Sequence, residues 1–308
     1  PPVVELSLAS EAAFRAMPDM LRDRGLMILA RADQRMAFEA DLNGFALEEV
    51  PLAVAQARVP ILNPRTVAFA AMADHAWDID TDLLIQSHIR DLRAGGGEVI
   101  CKAPVTAIGK SGRVWQVTTP QGVFQARVLI NAAGAWADQI ARLAGIRPLG
   151  ITPYRRSMAR IPAPGGQDIS GWPMIFGCGE SWYAKPDAGA LIVSPAEEDA
   201  AEPHDAWADD MVLAEGLARY EEMVTEPVTR MIANWAGLRS FAPDRVPVIG
   251  RAADSAPEGP EFFWLAGQGG YGFQTSPAAA ALVADLLGGR PPAIGRDLAA
   301  RLSPQRFG

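Results

Sequence analysis

Lysine is almost missing. Only Lys102, Lys110 and Lys185 occur in 308 residues that hold 28 lysines and arginines together. Positive charge therefore rests on arginine, whose planar fork suits two-point carboxylate recognition, although a genome's base composition explains the same skew. Cysteine is nearly as scarce: Cys101 and Cys178 lie far apart and make no C-x-x-C, so reduced thiols and a cytoplasmic setting are expected. His75, His88 and His204 are scattered without metal-ligand spacing, and no metal is expected. No apolar run is long enough for a membrane span, and the start lacks a basic region followed by an apolar one. Peripheral association at the inner membrane stays open. A net charge of −8 argues against non-specific nucleic-acid binding. What remains is an ordinary globular composition, 49% apolar and 21% charged, in a chain long enough for two domains.

The most informative stretch lies near the C-terminal end. Glu261-Phe262-Phe263-Trp264-Leu265-Ala266 is a short apolar, aromatic run and reads as a buried strand. Gly267, Gly269, Gly270 and Gly272 follow within six residues, which lets the backbone turn sharply and approach a ligand. Thr275, Ser276 and Pro277 suit a helix N-cap and first turn, and a helix should run to the Gly288-Gly289 stop. A strand, a glycine bend and a helix N-terminus together form an anion site. Gly267, Gly269 and Gly272 fit G-x-G-x-x-G, yet the second strand and acidic residue of a dinucleotide fingerprint do not follow. The bend is therefore expected to face another part of a ligand; a glycine-rich turn without a ligand is the alternative.

A second unit of the same kind lies upstream. Val128-Leu129-Ile130-Asn131 reads as a strand, Ala132-Ala133-Gly134 as a turn with little side-chain bulk, and 137–143 as a helix. Before it, three short strands between 105 and 127 form a meander. The remaining expectations are helices over 10–21 (broken at Pro18), from Asp33 to Leu42, over 81–92 and over 205–220. Strands are expected at 25–30, 98–101, 155–161, 174–176, 181–184, 191–194, 235–241 and 246–250, and 50–64 reads as irregular.

With both units read, the chain resembles the flavoprotein family of D-amino-acid oxidase, glycine oxidase and sarcosine oxidase. Within it the likeness is greatest to FAD-dependent D-amino-acid dehydrogenases, bacterial D-arginine dehydrogenase above all. The stretches that carry it include Asp78-Ile79-Asp80-Thr81-Asp82, Asn131 to Trp136, Arg155-Arg156-Ser157, Trp172-Pro173-Met174, Tyr183 with Lys185-Pro186-Asp187, Trp235 to Phe241 and Gln268 to Thr275. The resemblance implies an α/β protein: a Rossmann-like FAD domain of the glutathione-reductase type plus a mixed-sheet α+β substrate domain. The expected division is 66–144 with 239–289 for FAD and 1–65 with 145–238 for substrate, leaving 290–308 as a tail. The family opens with a βαβ unit that cradles the FAD pyrophosphate. This sequence begins downstream of it, so these residues alone are expected to hold FAD weakly.

The same resemblance implies the site. Arg156 and Arg239 match the carboxylate-binding arginines, Tyr183 matches the active-site tyrosine, and the Gly270 carbonyl would accept from the substrate amine. The flavin would lie across Gly267, Gly269 and Gly272, with Phe273, Gln274 and Thr275 at the helix start. Ala132, Ala133, Gly134, Trp136 and Gly237 would border the cofactor, with Val105 against adenine. Tyr271 would line the substrate pocket. Leu26 falls where D-arginine dehydrogenase carries a glutamate, so apolar D-amino acids are expected to be preferred. The reaction implied is oxidative deamination with a quinone as electron acceptor; an oxidase that uses oxygen and a non-catalytic remnant are the alternatives.

Overall fold

The computed structural model describes residues 1–253 and 259–308. The strand at Glu261–Ala266 forms as expected and pairs in parallel with Val128–Asn131, Trp264 standing opposite Asn131. Val248–Arg251 adds an antiparallel third strand to this small sheet. Alternation divides its side chains. Phe262 and Trp264 pack with Trp115, Ala137 and Val248 on one face, while Phe263 joins Leu6, Ile249, Ala278 and Leu282 on the other. Both faces are buried, as a parallel sheet between helical layers requires. Because the two parallel strands are in register, the turns that follow them leave the same end of the sheet side by side. Ligands of open α/β sheets bind at that end.

The larger sheet has nine strands among the described residues. In spatial order its main path runs Asp199–Ala200, Thr152–Pro162, Ala190–Ser194, Trp182–Asp187, Met174–Gly177, Leu26–Ala30, Phe69–Ala73 and Glu48–Val50. Ala233–Phe241 also pairs along Thr152–Pro162. All neighbours are antiparallel except Leu26–Ala30 with Met174–Gly177, so the sheet is mixed. One face is a closed apolar core of Met27, Leu29, Ile161, Ile175, Trp182 and Val193 with Tyr220 of the Asp210–Glu222 helix. The other face carries Arg156, Tyr183 and Arg239. The meander Ala107–Ser111, Val114–Thr119 and Gly122–Ala126 forms as read. The fold is thus α/β, with a small parallel-cored sheet beside a mixed one.

Several local expectations need correction. The first helix is Pro2–Arg15, beginning well before 10, with proline in its first turn where the missing N–H costs nothing. Leu52–Arg58 is a helix inside the stretch read as irregular, because Pro51 and Pro60 bound it rather than interrupt it. Residues 98–101 form no strand, and the 81–94 helix is capped by Asp80, whose carboxylate accepts from Leu83 N–H at 2.9 Å. The division into two units remains a proposal; drawn by sheet membership, Phe69–Ala73 would join the mixed sheet's unit.

Candidate functional site

The glycine bend is held to the mixed sheet by one backbone bond, from Gly269 N–H to the Ser240 carbonyl at 2.8 Å. Gly267 and Gly269 have φ of +69° and +57°, and a Cβ at Gly269 would stand 2.6 Å from the Phe241 ring. Only glycine meets both demands. The tie fixes the bend over the residue before Ser240, which is Arg239. A Cβ on Gly270 would lie 2.9 Å from the Arg239 Cζ, so the guanidinium sits directly against the bend.

Strand pairing brings the second arginine beside it. Tyr154 stands opposite Arg239 and Arg156 opposite Gly237, which puts both arginine side chains on one face as diagonal neighbours. Arg156 is 4% exposed. Its Nε is buried without a hydrogen-bond partner, and its Nη2 lies 3.6 Å from Glu198 Oε1. Arg239 is half-buried, and its guanidinium has no hydrogen-bond or ion-pair partner among the described residues. Burial, and then the positive charge of Arg156, hold the Arg239 pKa below the usual guanidinium value. Two cations brought together in a partly dry place with so little compensation form a site for an anion.

Tyr183, 7% exposed, comes from the Trp182–Asp187 strand; the Arg156 Cζ lies 5.9 Å from its ring centroid. Its hydroxyl donates to Met158 Sδ at 3.4 Å, a weak bond that a better acceptor would displace. Met158 shares the face of Arg156 two residues on, and the Phe176 ring lies 5.6 Å from that of Tyr183, tilted by 40°. Leu26 is 8% exposed and packs with Ile28, Phe38 and Cys178, against Met174 and Phe176, so it backs this wall rather than standing open. Tyr271 is exposed at the start of the last long helix, directly after Gly270, whose backbone lies against Arg239.

That helix is Gly272–Leu287, so it starts three residues before Thr275. Thr275 N–H bonds the Tyr271 carbonyl, which leaves the N–H groups of Gly272, Phe273 and Gln274 ahead of it. The Thr275 side chain is fully buried and its hydroxyl donates to the Tyr271 carbonyl at 2.9 Å, so it is turned away from any ligand. Gln274 is likewise drawn off, its Nε2 donating to Ser7 at 2.9 Å. The anion-facing amides are therefore those of residues 272–274, with no contribution from the Thr275 or Gln274 side chains. At the neighbouring turn, Asn131 is buried and stitches the backbone, donating to the Ala137 carbonyl at 2.8 Å and accepting from Ala133 N–H at 3.3 Å. That leaves Ala132, Gly134 and Trp136 exposed and Ala133 half-buried, while Val105 lies half-buried just before the meander.

Glu198, Met158, Gln268 and Asn131 were not singled out from sequence. Alternation along Thr152–Pro162 was enough to place Met158 beside Arg156. Glu198 lies in Glu197-Glu198-Asp199, which reads as a solvated acidic turn.

The described residues contain no group of three or more His, Cys, Asp or Glu side chains that could hold a metal ion. No helix among them is long and apolar enough to cross a membrane.

Comparison with known proteins gives a consistent answer. The model of the DAO family, FAD dependent oxidoreductases, matches residues 3–286. Glycine oxidase of Pseudomonas putida is 29% identical over 193 residues, 61% of this chain and 48% of that protein. Hydrogen cyanide synthase subunit HcnC of Pseudomonas aeruginosa is 26% identical over 196 residues, 61% of this chain and 44% of that protein. The chain thus spans less than half the length of these curated relatives. The crystal structure of glycine oxidase from Geobacillus kaustophilus superposes with a TM-score of 0.77 at 22% identity, covering 99% of this chain and 84% of that one.

The residues present fit the isoalloxazine end of such a cofactor. Gln268 Nε2 is buried at the bend without a partner. A Cβ at Gly237 or Gly134 would meet nothing within 4 Å, which leaves open backbone on either side. Trp136, Trp235, Tyr271 and Phe273, in the two turns and in the strand and helix that flank them, present large exposed rings.

Proposed function

The chain belongs to the DAO family of FAD dependent oxidoreductases, and from that premise we propose that it oxidises D-amino acids with apolar side chains to 2-oxo acids and ammonia. The observation that carries this reading is the unpartnered Arg239 guanidinium, pressed against the glycine bend beside buried Arg156. A substrate carboxylate takes a two-point grip from Arg239 while Arg156 adds its charge from below. Tyr183 releases Met158 and donates its hydroxyl to the same carboxylate. The Gly270 carbonyl accepts from the substrate amine, which fixes the Cα between bend and sheet. The apolar wall of Met158, Met174, Phe176 and Tyr183, backed by Leu26, receives the side chain and offers no carboxylate to a cationic one.

When bound, FAD supplies the two-electron acceptor that takes the α-hydrogen as hydride. The residues to hold it are Gly267, Gly269, Gln268 and the amides of 272–274 on one side, and Ala132, Ala133, Gly134 and Trp136 on the other. The amine enters neutral and needs no side-chain base, and the carboxylate nearest the clamp, Glu198, is already engaged by Arg245. Water then hydrolyses the imino acid product. The rate should therefore rise with pH through one group, that of the substrate amine.

The test uses the full-length protein with FAD bound, mixed without oxygen with D-leucine, D-methionine, D-arginine and L-leucine. Bleaching of the flavin absorbance by D-leucine and D-methionine, with little from D-arginine or L-leucine, is the expected result. Equal reduction by D-arginine sinks the apolar preference, and equal reduction by L-leucine sinks the D assignment. We place a quinone as acceptor. The oxidase alternative is favoured by the glycine oxidase relative, and peroxide formed under air at the turnover rate would establish it.

A further inference from the structure

Glu198 stands between two arginines that belong to different settings. Arg245, on the surface side, holds its carboxylate firmly, with Nη2 at 2.9 and 3.0 Å from the two oxygens. Arg245 is itself seated, its Cζ 4.0 Å over the centroid of the Phe241 ring that blocks any side chain at Gly269. On the buried side Arg156 Nη2 stays at 3.6 Å, too long for a full hydrogen bond, and its Nε remains unpaired. The carboxylate is thus anchored where it compensates Arg156 without closing over it.

We infer that Glu198 is the fixed counter-ion of the carboxylate clamp, setting the site to accept one negative group and to reject a second. The inference rests on the clamp reading of Arg156 and Arg239. Glu198 lies 3.6 Å from Arg156 and its charge reaches Arg239 as a lesser influence, but among the described residues the Arg239 guanidinium has no hydrogen-bond or ion-pair partner and is left for the substrate. A monocarboxylate then completes the balance. A dicarboxylate brings one negative charge too many, and its second group must displace Glu198 or lie beside it at a repulsive distance. With Glu198 neutral, both guanidiniums become available, and a compact dicarboxylate can bridge them. Glu198 touches neither the reacting atoms nor the substrate carboxylate, so it is a specificity-determining and positioning residue.

The experiment measures acetate and malonate binding by titration calorimetry to the full-length, FAD-loaded protein and to its Glu198→Gln, Glu198→Asp and Arg239→Gln variants. Glutamine keeps the shape and an acceptor for Arg245, and Glu198 lies in an exposed connection, so folding is not at stake. Wild type should bind acetate and discriminate against malonate. Glu198→Gln should tighten malonate by about tenfold or more relative to acetate, the range of one lost close charge pair. Glu198→Asp, which keeps the charge, should restore most of the wild-type preference. A purely structural role for Glu198 would weaken both ligands alike and leave their ratio unmoved. If Arg239→Gln abolishes acetate binding while Glu198→Gln leaves the malonate-to-acetate ratio unchanged, the counter-ion role is overturned and the clamp stands. If Arg239→Gln leaves acetate binding intact, the clamp reading falls and this inference falls with it.

Discussion

Two groups of partly buried charge each reach the mixed sheet, one through Lys185 and one through Arg156 and Arg239, and they are built in opposite ways. Around Asp78 every valence is closed. Arg24 donates to it from Nε at 2.8 Å and Nη2 at 2.7 Å, and spends Nη1 on the Ser170 and Trp172 carbonyls, each at 2.8 Å. Lys185 meets the other oxygen at 2.9 Å. Around Arg156 and Arg239, by contrast, Glu198 supplies a 3.6 Å contact to one cation, and Arg239 has no hydrogen-bond or ion-pair partner among the described residues. Charge costs several kcal/mol to bury, so a fold keeps it either by pairing it fully or by leaving it for something that arrives later. The closed cluster ties the Trp77–Ile79 strand to the sheet through Lys185; the open pair is the one proposed to receive an anion.

The largest expected effect is on the open side. Arg239→Ala in the full-length enzyme should lower kcat/KM for D-leucine by about a hundredfold to a thousandfold, the cost of a lost charge-assisted clamp. Its melting temperature should hold or rise, because the residue removed is a half-buried cation with no partner to orphan. A fall in stability comparable to the loss of activity would mean that Arg239 is structural, and the contrast with Asp78 would vanish.

Next comes the link between bend and clamp. Gly269→Ala forces a side chain into φ +57° and into the Phe241 ring at 2.6 Å, so one of the two must move. A destabilisation of about 1–3 kcal/mol is expected, from backbone strain plus the clash. Because Gly269 N–H holds the Ser240 carbonyl, the displacement should also weaken acetate binding at Arg239. Unchanged acetate affinity in a destabilised Gly269→Ala protein would uncouple the two regions.

On the closed side the signs reverse. Asp78→Asn should cost about 2 kcal/mol by leaving Arg24 and Lys185 short of a partner, with little change in kcat. Burial alone would raise the Asp78 pKa, but hydrogen bonds from Lys185 and Arg24 outweigh it and hold the carboxyl below its ordinary range. A depressed folded-state pKa adds stability above the unfolded-state value, and that stability is lost as pH falls through the folded one. The difference between wild type and Asp78→Asn should therefore be full at neutral pH and shrink below the usual aspartate range. Chemical denaturation across that window reads it directly, and a pH-independent gap would place the stabilisation elsewhere.

The two clusters also differed in how legible they were from sequence. The glycine bend was readable from its own residue types, whereas Arg156 and Arg239 were assigned only by the family resemblance of the stretches that hold them. Their meeting, however, depends on the register of Ala233–Phe241 on Thr152–Pro162, which no local pattern states. Glu198 was hidden for the converse reason: an acidic turn reads as solvated until a strand 40 residues away supplies the buried cation. The helix at Pro2–Arg15 began earlier than read because two prolines look like a breaker, although the first turn tolerates them. Residues 98–101 have strand composition but no partner strand among the described residues, and a strand exists only when paired.

The start of the last long helix shows the same principle on its smallest scale. Pro277 sits inside Gly272–Leu287 and cannot donate to the Phe273 carbonyl. The Ser276 hydroxyl donates to that carbonyl instead, at 2.9 Å, and Ala278 N–H donates to Ser10 Oγ at 3.1 Å across the helix pair. The defect is thus closed locally, a few residues from the helix's first amides at 272–274, which no carbonyl of the helix can serve. Ser276→Ala should cost about 0.5–1 kcal/mol, the net worth of one such bond. In a Pro277→Ala background residue 277 regains its N–H and can serve Phe273 directly, so the cost of Ser276→Ala should disappear there. A double-mutant cycle measures that coupling without reference to activity. Additive costs would show that the serine compensates nothing, and that the first turn of the helix tolerates an unpaired carbonyl.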